Sequence, residues 1–267
     1  MTTNVRDLRK WKTEGKKFTM LTAYDYTTAR WLDQAGIPVL LVGDSLGNTM
    51  LGYPDTLSVT MDDMIRYAGA VVRGAPNALI VGDMPFMAYH ATAEDAIRNA
   101  GRFLQEARVH AVKMEGGGRV IGYTKQLTAM GIPIMGHLGL TPQFVNQFGG
   151  LRVQGRSDEA AERILDDAKA LEEAGAFAIV LEGIPSTLGQ RVTQALTVPT
   201  IGIGAGIHCD AQVLVIQDLL GLNPDHVAKF VRQYAKLGEA IEAAARQFDQ
   251  DVRSGAFPTP EHEYSAR

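Results

Sequence analysis

Two aspartates in the sequence directly follow short apolar runs of the kind that form buried strands. Asp44 comes after the run in LLVGDSLG, and Asp83 comes after the run in LIVGDMPF. A third acid, Glu115, closes the apolar stretch AVKME. Carboxylates that converge on one point repel each other unless a cation lies between them, and an all-oxygen ligand set favours a hard cation such as Mg²⁺. The three acids therefore predict a magnesium site, although each alone could cap a helix or pair with a lysine.

Other polar side chains stand at the ends of similar runs. Lys113 lies two residues before Glu115 and on the same side of a strand, where it could pair with that acid or bind an anionic substrate. Ser45 could contact the substrate or only hydrogen-bond locally. Glu182 follows AIVL, and an apolar environment makes a carboxylate a usable base; the alternatives are a helix cap or an ion pair. His137, in IMGHLGL, is interpreted as a hydrogen-bond donor, a ligand or a satisfied core histidine.

The elements that must position these side chains alternate along the chain. Continuous apolar runs separate helical patterns, as is typical of parallel strands covered on both faces. The predicted strands lie near 18–24, 38–43, 78–82, 110–115, 132–137, 176–182, 198–203 and 213–217. Eight strand–helix units predict a (β/α)8 TIM barrel, in which chemistry collects at the carboxyl ends of the strands. Because only about nine residues separate the last two strands, the seventh crossover is abbreviated, and an open doubly wound sheet is the structural alternative.

Helix signals fill the segments between the strands and the two chain ends. The predicted N-caps are Ser58 or Thr60, Thr92 and Ser157. The N-terminal VRDLRKWKTEGKK is expected to form a short helix that caps the bottom of the barrel. A last long helix is predicted to open at Asn223-Pro224 and to run to about residue 250, before a loose tail at 255–267. We interpret 1–267 as one barrel domain.

Composition bounds the class of protein. A chain of 267 residues with 46% hydrophobic residues can bury a large core. A formal net charge of −4, without a cluster of Lys or Arg, argues against a nucleic-acid partner. No apolar run is long enough for a signal peptide or a membrane span, and the single cysteine, Cys209, cannot form an internal disulfide. We therefore expect a soluble cytoplasmic protein.

The ordered set of strand-end motifs resembles the ketopantoate hydroxymethyltransferase family. The motifs are LTAYD (21–25), LVGDSLG (41–47), VGDMPF (81–86), VKMEGG (112–117), GHLGLTPQ (136–143), LEGIP (181–185) and IGIGAG (201–206). The resemblance spans about residues 5–222. It implies a Mg²⁺-dependent barrel that transfers a hydroxymethyl group from 5,10-methylenetetrahydrofolate to 3-methyl-2-oxobutanoate, giving 2-dehydropantoate for pantothenate biosynthesis. It also implies a homo-oligomer, typically a decamer.

The resemblance implies roles for individual residues. The metal would be surrounded by Asp44, Asp83 and Glu115, directly or through water. The oxoacid would contact Asp44, Ser45, Asp83 and Lys113, with His137 lining the pocket. Glu182 would be the proton acceptor.

Two positions depart from the family pattern, and two other functions stay open. Gln217 stands where the family tends to place histidine, and Ala211 stands where glycine is expected. The first rival is a Mg²⁺-dependent 2-oxoacid lyase or mutase of the isocitrate lyase and phosphoenolpyruvate mutase type. The second is a barrel that only binds a small acid or a metal.

Overall fold

Eight parallel strands close into a barrel in the computed structural model, which describes residues 2–223 and 227–265. The strands are β1 (Phe18–Thr22), β2 (Val39–Val42), β3 (Leu79–Asp83), β4 (Ala111–Glu115), β5 (Ile134–Gly139), β6 (Ala178–Glu182), β7 (Thr200–Ile203) and β8 (Ala211–Leu214). Each strand pairs with its neighbours in chain order, and β8 closes the ring by pairing with β1. The predicted TIM barrel is confirmed, and the open doubly wound sheet is excluded.

Helices connect most of these strands, and others precede β1 or follow β8 in the chain. They are α1 (Val5–Thr13), α2 (Tyr26–Gln34), α3 (Leu46–Thr49), α4 (Met61–Gly74), α5 (Ala93–Arg102), α6 (Arg119–Ala129), α7 (Val145–Phe148), α8 (Asp158–Glu173), α9 (Ser186–Ala195), α10 (Ile216–Leu219) and α11 (Leu237–Ser254). A π-helical turn, Phe103–Ala107, continues α5, and a 3₁₀ turn, Pro142–Phe144, precedes α7. Thr60, Thr92 and Ser157 cap α4, α5 and α8 by accepting a backbone N–H, as the sequence predicts. In the described ranges, no helix has the length and apolar character needed to cross a membrane.

Helix α1 closes the amino-terminal end of the barrel, as predicted. Its Leu8 is fully buried and belongs to the apolar cluster formed by the inward-facing strand residues. Lys12 donates to the carbonyls of Thr193 and Val198 and lies 3.0 Å from the carboxylate of Asp210. Because the ammonium group of Lys12 is mostly buried and donates to three acceptors on the barrel, it holds α1 against the barrel.

The abbreviated seventh crossover is confirmed, but β8 starts two residues earlier than predicted. Residues 204–210 form turns rather than a helix. The carboxylate of Asp210 accepts the backbone N–H of Thr200, so strand pairing resumes at once: Ala211 pairs with Ile201 of β7 and with Phe18 of β1. A run of apolar residues does not reveal this side-chain anchor.

The glycines of IGIGAG allow close packing of helix α9 against the β7–β8 turn. A Cβ on Gly206, where φ is +90°, would lie 2.5 Å from the Cβ of Ser186, and a Cβ on Gly189 would lie 2.3 Å from the carbonyl oxygen of Ala205. Only glycine fits such contacts. Gly206 of the motif is therefore explained by close packing against α9.

Contacts along the chain group it into two compact units, the first ending at Val215 and the second beginning at Ile216. In the second unit, the backbone N–H of Tyr234 donates to Leu219 and that of Leu237 donates to Leu220. Residues 227–236 form turns and irregular backbone, so α11 begins at Leu237 and not at the predicted Asn223-Pro224, of which Pro224 lies outside the described residues. The tail carries a 3₁₀ turn at Pro260–His262.

Candidate active site

Three carboxyl groups meet at the carboxyl-terminal mouth of the barrel. Asp83 and Glu115 are the last residues of β3 and β4, and Asp44 follows β2 by two residues. One oxygen from each lies within 4.8 Å of the others, and all three residues are buried. The register of the strands explains why the three acids lie close together. Strands β2, β3 and β4 are adjacent, Val42 pairs with Gly82, and Asp83 pairs with Lys113. The structure thus places the three predicted acids together.

Lys113 is a buried cation that touches this cluster. Its Nζ lies 3.0 Å from Asp83 Oδ2 and 3.7 Å from Glu115 Oε1. Burial works against the charge, but the carboxylates outweigh it and hold the pKa of Lys113 above its usual range. The salt bridge considered from the sequence therefore exists, with Asp83 as the shorter contact. Together with the charged ring of His137, which contacts Glu115, Lys113 still leaves one negative charge unbalanced when all three acids are ionised.

The electrostatics of the acids favour a bound cation. Burial, and then the charges of Asp83 and Glu115, raise the pKa of Asp44 well above its usual value. Burial also raises the pKa of Asp83, although Lys113 opposes this. In Glu115 the burial effect is outweighed by His137 and Lys113, which hold its pKa below the usual value. Two of the three acids thus resist ionisation unless further positive charge arrives.

An oxygen of Asp83 supports the same conclusion. Asp83 Oδ1 is buried and makes no hydrogen bond to any described residue. A buried carboxylate oxygen without a partner is costly, and a divalent cation would satisfy it. The donor set is all oxygen, which suits Mg²⁺ with its remaining positions filled by water or substrate. The residues present therefore fit the magnesium ion expected from the sequence.

His137 lies between the cluster and Glu182. Its Nδ1 is 3.2 Å from Glu115 Oε1 and 3.1 Å from Lys113 Nζ, and its Nε2 is 3.3 Å from Glu182 Oε2. The last contact is close but falls outside hydrogen-bond geometry. Burial and Lys113 oppose the charged ring, but Glu115 and Glu182 prevail and raise the pKa of His137 to about 9. The histidine is part of a polar network and is not an isolated core residue.

Glu182 and Ser45 complete the set of predicted residues. Glu182 ends β6, and its side chain is 19% exposed, so it borders the cavity instead of lying in the wholly apolar surroundings that the sequence suggested. Ser45 Oγ is 2.8 Å from the hydroxyl of Tyr24, which is the local hydrogen bond that the sequence left open. Burial raises the pKa of Tyr24 to about 12, so this phenol stays neutral.

Sequence reasoning missed two buried residues of the site, Gln143 and Tyr89. Gln143 donates from Nε2 to Asp44 Oδ2 at 2.9 Å and from its backbone N–H to Glu115 Oε2 at 3.1 Å. The hydroxyl of Tyr89 donates to Gln143 Oε1 at 2.9 Å. The one available signal was the position of Gln143 inside the quoted motif GHLGLTPQ. Tyr89 lies in the loop between β3 and α5, where no periodicity marks it.

The cavity at this mouth is small, about 100 Å³. Its polar wall contains the cluster, Lys113, His137, Ser45 and Glu182, and its apolar wall includes Leu41, Val180 and Ile203. A larger groove of about 510 Å³ lies at the opposite end of the barrel, around Trp11 and Lys17, but it holds no comparable group of ionisable residues. The small polar cavity suits a compact organic acid.

Comparison with solved structures gives the class of protein. Phosphonopyruvate hydrolase aligns with a TM-score of 0.64 at 14% identity, over 100% of this chain and 92% of that chain. A 2,3-dimethylmalate lyase, a member of the PEP mutase/isocitrate lyase superfamily, aligns with a TM-score of 0.61 at 18% identity, over 98% and 93%. At such identities the likeness shows the fold alone. The chain is thus a TIM barrel of the architecture seen in that superfamily.

Sequence comparison gives the family. The model of ketopantoate hydroxymethyltransferase matches residues 2–260. A 3-methyl-2-oxobutanoate hydroxymethyltransferase from Syntrophus aciditrophicus is 54% identical over 99% of this chain and 96% of its own length. The protein of that name from Clostridioides difficile is 50% identical over 99% and 96%. The chain belongs to the ketopantoate hydroxymethyltransferase family and is an enzyme, a transferase of pantothenate synthesis; the resemblance of its motifs is confirmed.

Proposed function

We propose that this enzyme uses Mg²⁺ to transfer a hydroxymethyl group from 5,10-methylenetetrahydrofolate to 3-methyl-2-oxobutanoate, giving 2-dehydropantoate. The observation that carries the proposal is the buried cluster of Asp44, Asp83 and Glu115, in which one oxygen of Asp83 has no partner in the part of the chain that the structure describes. These three side chains would hold the metal, directly or through water. When bound, Mg²⁺ would supply Lewis-acid polarisation of the 2-oxo group.

Residues beside the cluster would bind and orient the oxoacid. The ammonium of Lys113, kept charged by its carboxylate neighbours, would attract the substrate's carboxylate. Ser45 could donate its hydroxyl proton to the same substrate, because Tyr24 can take either role in their hydrogen bond. The apolar wall formed by Leu41, Val180 and Ile203 would receive the isopropyl group and keep water away from C3.

Glu182 would take the proton from C3 of the oxoacid, leaving a carbon nucleophile for the one-carbon unit. Glu182 lies on β6, and it lines the same cavity as Asp83 of β3. Its Oε2 is beside the ring of His137. A charged His137 would hold the carboxylate of Glu182 in one orientation before the proton moves. The base is thus separate from the proposed metal ligands, which suits proton abstraction from a metal-held acid better than a fourth ligand would.

A turnover assay tests the function. The purified enzyme should consume 3-methyl-2-oxobutanoate only when both Mg²⁺ and methylenetetrahydrofolate are supplied. Consumption without the folate, or equal rates after chelation of divalent ions, would contradict the proposal.

Proton exchange tests the base. Without the folate, the wild-type enzyme should exchange the C3 proton of the oxoacid with D₂O, observed by proton NMR. The Glu182→Gln variant should exchange about 10²- to 10⁴-fold more slowly, the range for removal of a general base. Glu162→Gln is the matched control, because that glutamate is exposed and pairs with Arg191. Exchange at the wild-type rate in Glu182→Gln would show that another group takes the proton.

We also propose that the enzyme is a homo-oligomer, as the family resemblance implies, with a decamer as the expected form and the cytoplasm as its location. Helix α11 supports assembly, because none of its residues is buried among the described residues. Leu237, Ile241, Phe248 and Val252 are exposed apolar residues at spacings that place them on one side of the helix. Sedimentation should give about ten times the 28.9 kDa chain mass; a monomer would contradict this.

A further inference from the structure

Gln143 joins two of the three proposed metal ligands, Asp44 and Glu115. Its side-chain nitrogen donates to Asp44 Oδ2 and to the carbonyl oxygen of Met84, both at 2.9 Å. Its backbone N–H donates to Glu115 Oε2 at 3.1 Å. It is 3% exposed, so these bonds are made without competition from water. One residue therefore binds one oxygen on each of two proposed ligands.

Tyr89 fixes the orientation of the Gln143 amide. The tyrosine hydroxyl accepts the backbone N–H of Glu115 at 3.1 Å, so its single proton is free to be donated elsewhere. Gln143 Oε1 lies 2.9 Å from it, closer than the carbonyl oxygen of Glu115 at 3.3 Å. A rotated amide would point its nitrogen at Tyr89 and its oxygen at the carbonyl of Met84, leaving that carbonyl without a donor. Only one amide orientation satisfies all the partners.

We propose that Gln143, held by Tyr89, is a positioning residue that sets the carboxylates of Asp44 and Glu115 for a divalent cation. This inference rests on the metal site of the proposed function. Rotation of each carboxylate group about its terminal C–C bond is restricted, because Gln143 binds one of its oxygens. The ordering of the ligands is therefore completed during folding and does not have to accompany metal binding. The network is neutral, so it adds no charge that would compete with the cation.

The network also predicts how two substitutions combine. Gln143→Met keeps the length and removes the side-chain hydrogen bonds, whereas Tyr89→Phe removes only the hydroxyl and keeps the ring beside His90, with centroids 4.1 Å apart. If Tyr89 acts through Gln143, the double variant should lose no more metal affinity than Gln143→Met alone. If Tyr89 instead acts through the backbone N–H of Glu115, which its hydroxyl also binds, the two effects on affinity should multiply.

Calorimetric titration with Mg²⁺ alone, at pH 8, tests this. We expect Gln143→Met to bind about 10- to 100-fold more weakly than wild type, the range for loss of a group that orients a ligand. Tyr89→Phe should lose less, and the double variant should match Gln143→Met. At saturating Mg²⁺, kcat should return towards the wild-type value, because the chemistry itself is untouched. Gln212→Met is the control, since the exposed side chain of Gln212, on β8, donates to the carbonyl oxygen of Gly206 in the β7–β8 turn and to no acid of the cluster in the described part of the chain.

The outcomes separate this inference from the proposed function. If the wild type binds Mg²⁺ and either Gln143→Met or the folded Tyr89→Phe binds it equally tightly, the positioning role is wrong while the metal site stands. If Gln143→Met does not fold, Tyr89→Phe alone decides, because it retains the tyrosine ring. If the wild type binds no divalent cation, the metal site is wrong and this inference falls with it.

Discussion

Replacing Lys113 by methionine should tighten Mg²⁺ binding while it weakens binding of the oxoacid. Lys113 occupies the cluster as a resident cation, with Nζ 3.0 Å from Asp83 Oδ2. A magnesium ion about 2 Å from that oxygen would lie roughly 4–5 Å from the ammonium. Metal and lysine therefore repel each other inside the same site. Lys113→Met removes this repulsion and also removes the positive charge that we assign to the substrate's carboxylate.

The size of the effect follows from the geometry. At about 5 Å and an effective dielectric constant of about 20, the repulsion is about 3 kcal/mol for each positive charge on the metal. Part of the gain is cancelled, because without Lys113 the acids hold their protons more strongly and protons compete with the metal. We therefore expect about 10- to 100-fold tighter Mg²⁺ binding at pH 8.5, and a smaller gain at pH 6.5, where proton competition is stronger.

Calorimetry at the two pH values, followed by titration of the oxoacid at saturating Mg²⁺, measures both effects. Lys12→Met is the matched control, because Lys12 also lies 3.0 Å from a carboxylate, that of Asp210, but at the other end of the barrel. It should lower thermal stability and leave both affinities unchanged. Weaker Mg²⁺ binding in Lys113→Met at pH 8.5, with Lys12→Met unaffected, would refute the assignment of Lys113 as a competing cation.

Two further predictions concern stability. In EDTA, His137 should contribute stability that is fully present below its unfolded pKa of 6.5 and is lost as the pH rises through about 9; the shift of its pKa corresponds to on the order of 3 kcal/mol. Denaturant unfolding should show that the free energy of unfolding of His137→Gln changes less with pH than that of the wild type. Equal pH dependence in the two proteins would contradict this. Gly74→Ala should destabilise by about 1–3 kcal/mol because its Cβ would lie 2.5 Å from the backbone carbonyl oxygen of Tyr26, which cannot rotate away as the end of a side chain can. Gly122→Ala, with nothing within 4 Å, is the control, and matching melting temperatures would refute the clash.

Local sequence patterns predicted the barrel and the acids because both depend on the same short-range signal. An apolar run reports a buried strand, and a charged residue at its end must lie at the mouth, so Asp44, Asp83 and Glu115 could be grouped before their distances were known. Adjacency in the chain then became adjacency in the barrel, because each strand pairs with the next. The caps at Thr60 and Thr92 were predictable for the same reason, since a cap acts within one turn.

The remaining features depend on contacts between distant residues. Gln143 lies in the turn Pro142–Phe144 and reaches Asp44, 99 positions earlier in the chain. The early start of β8 depends on Asp210, whose partner Lys12 is 198 positions away. The environment of Glu182 was predicted as apolar from its own strand, but His137 on the neighbouring strand supplies a polar contact. Periodicity carries no information on such pairings.

The site combines a hydrogen-bond network that fixes two acids, which we call the frame, with negative charge that is not fully balanced. The frame is neutral: Tyr89 and Gln143 hold two of the acids through hydrogen bonds that do not alter the net charge. The negative charge is only partly compensated, because Lys113 and the charged ring of His137 face three carboxyl groups and Asp83 Oδ1 has no partner among the described residues. A protein selected only for stability would have filled this position with apolar side chains, since buried ions rarely stabilise a fold. Hydrogen bonds fix the positions of the ligand oxygens, whereas their negative charge is not fully balanced. A cation can therefore bind without reorganising the ligands that receive it.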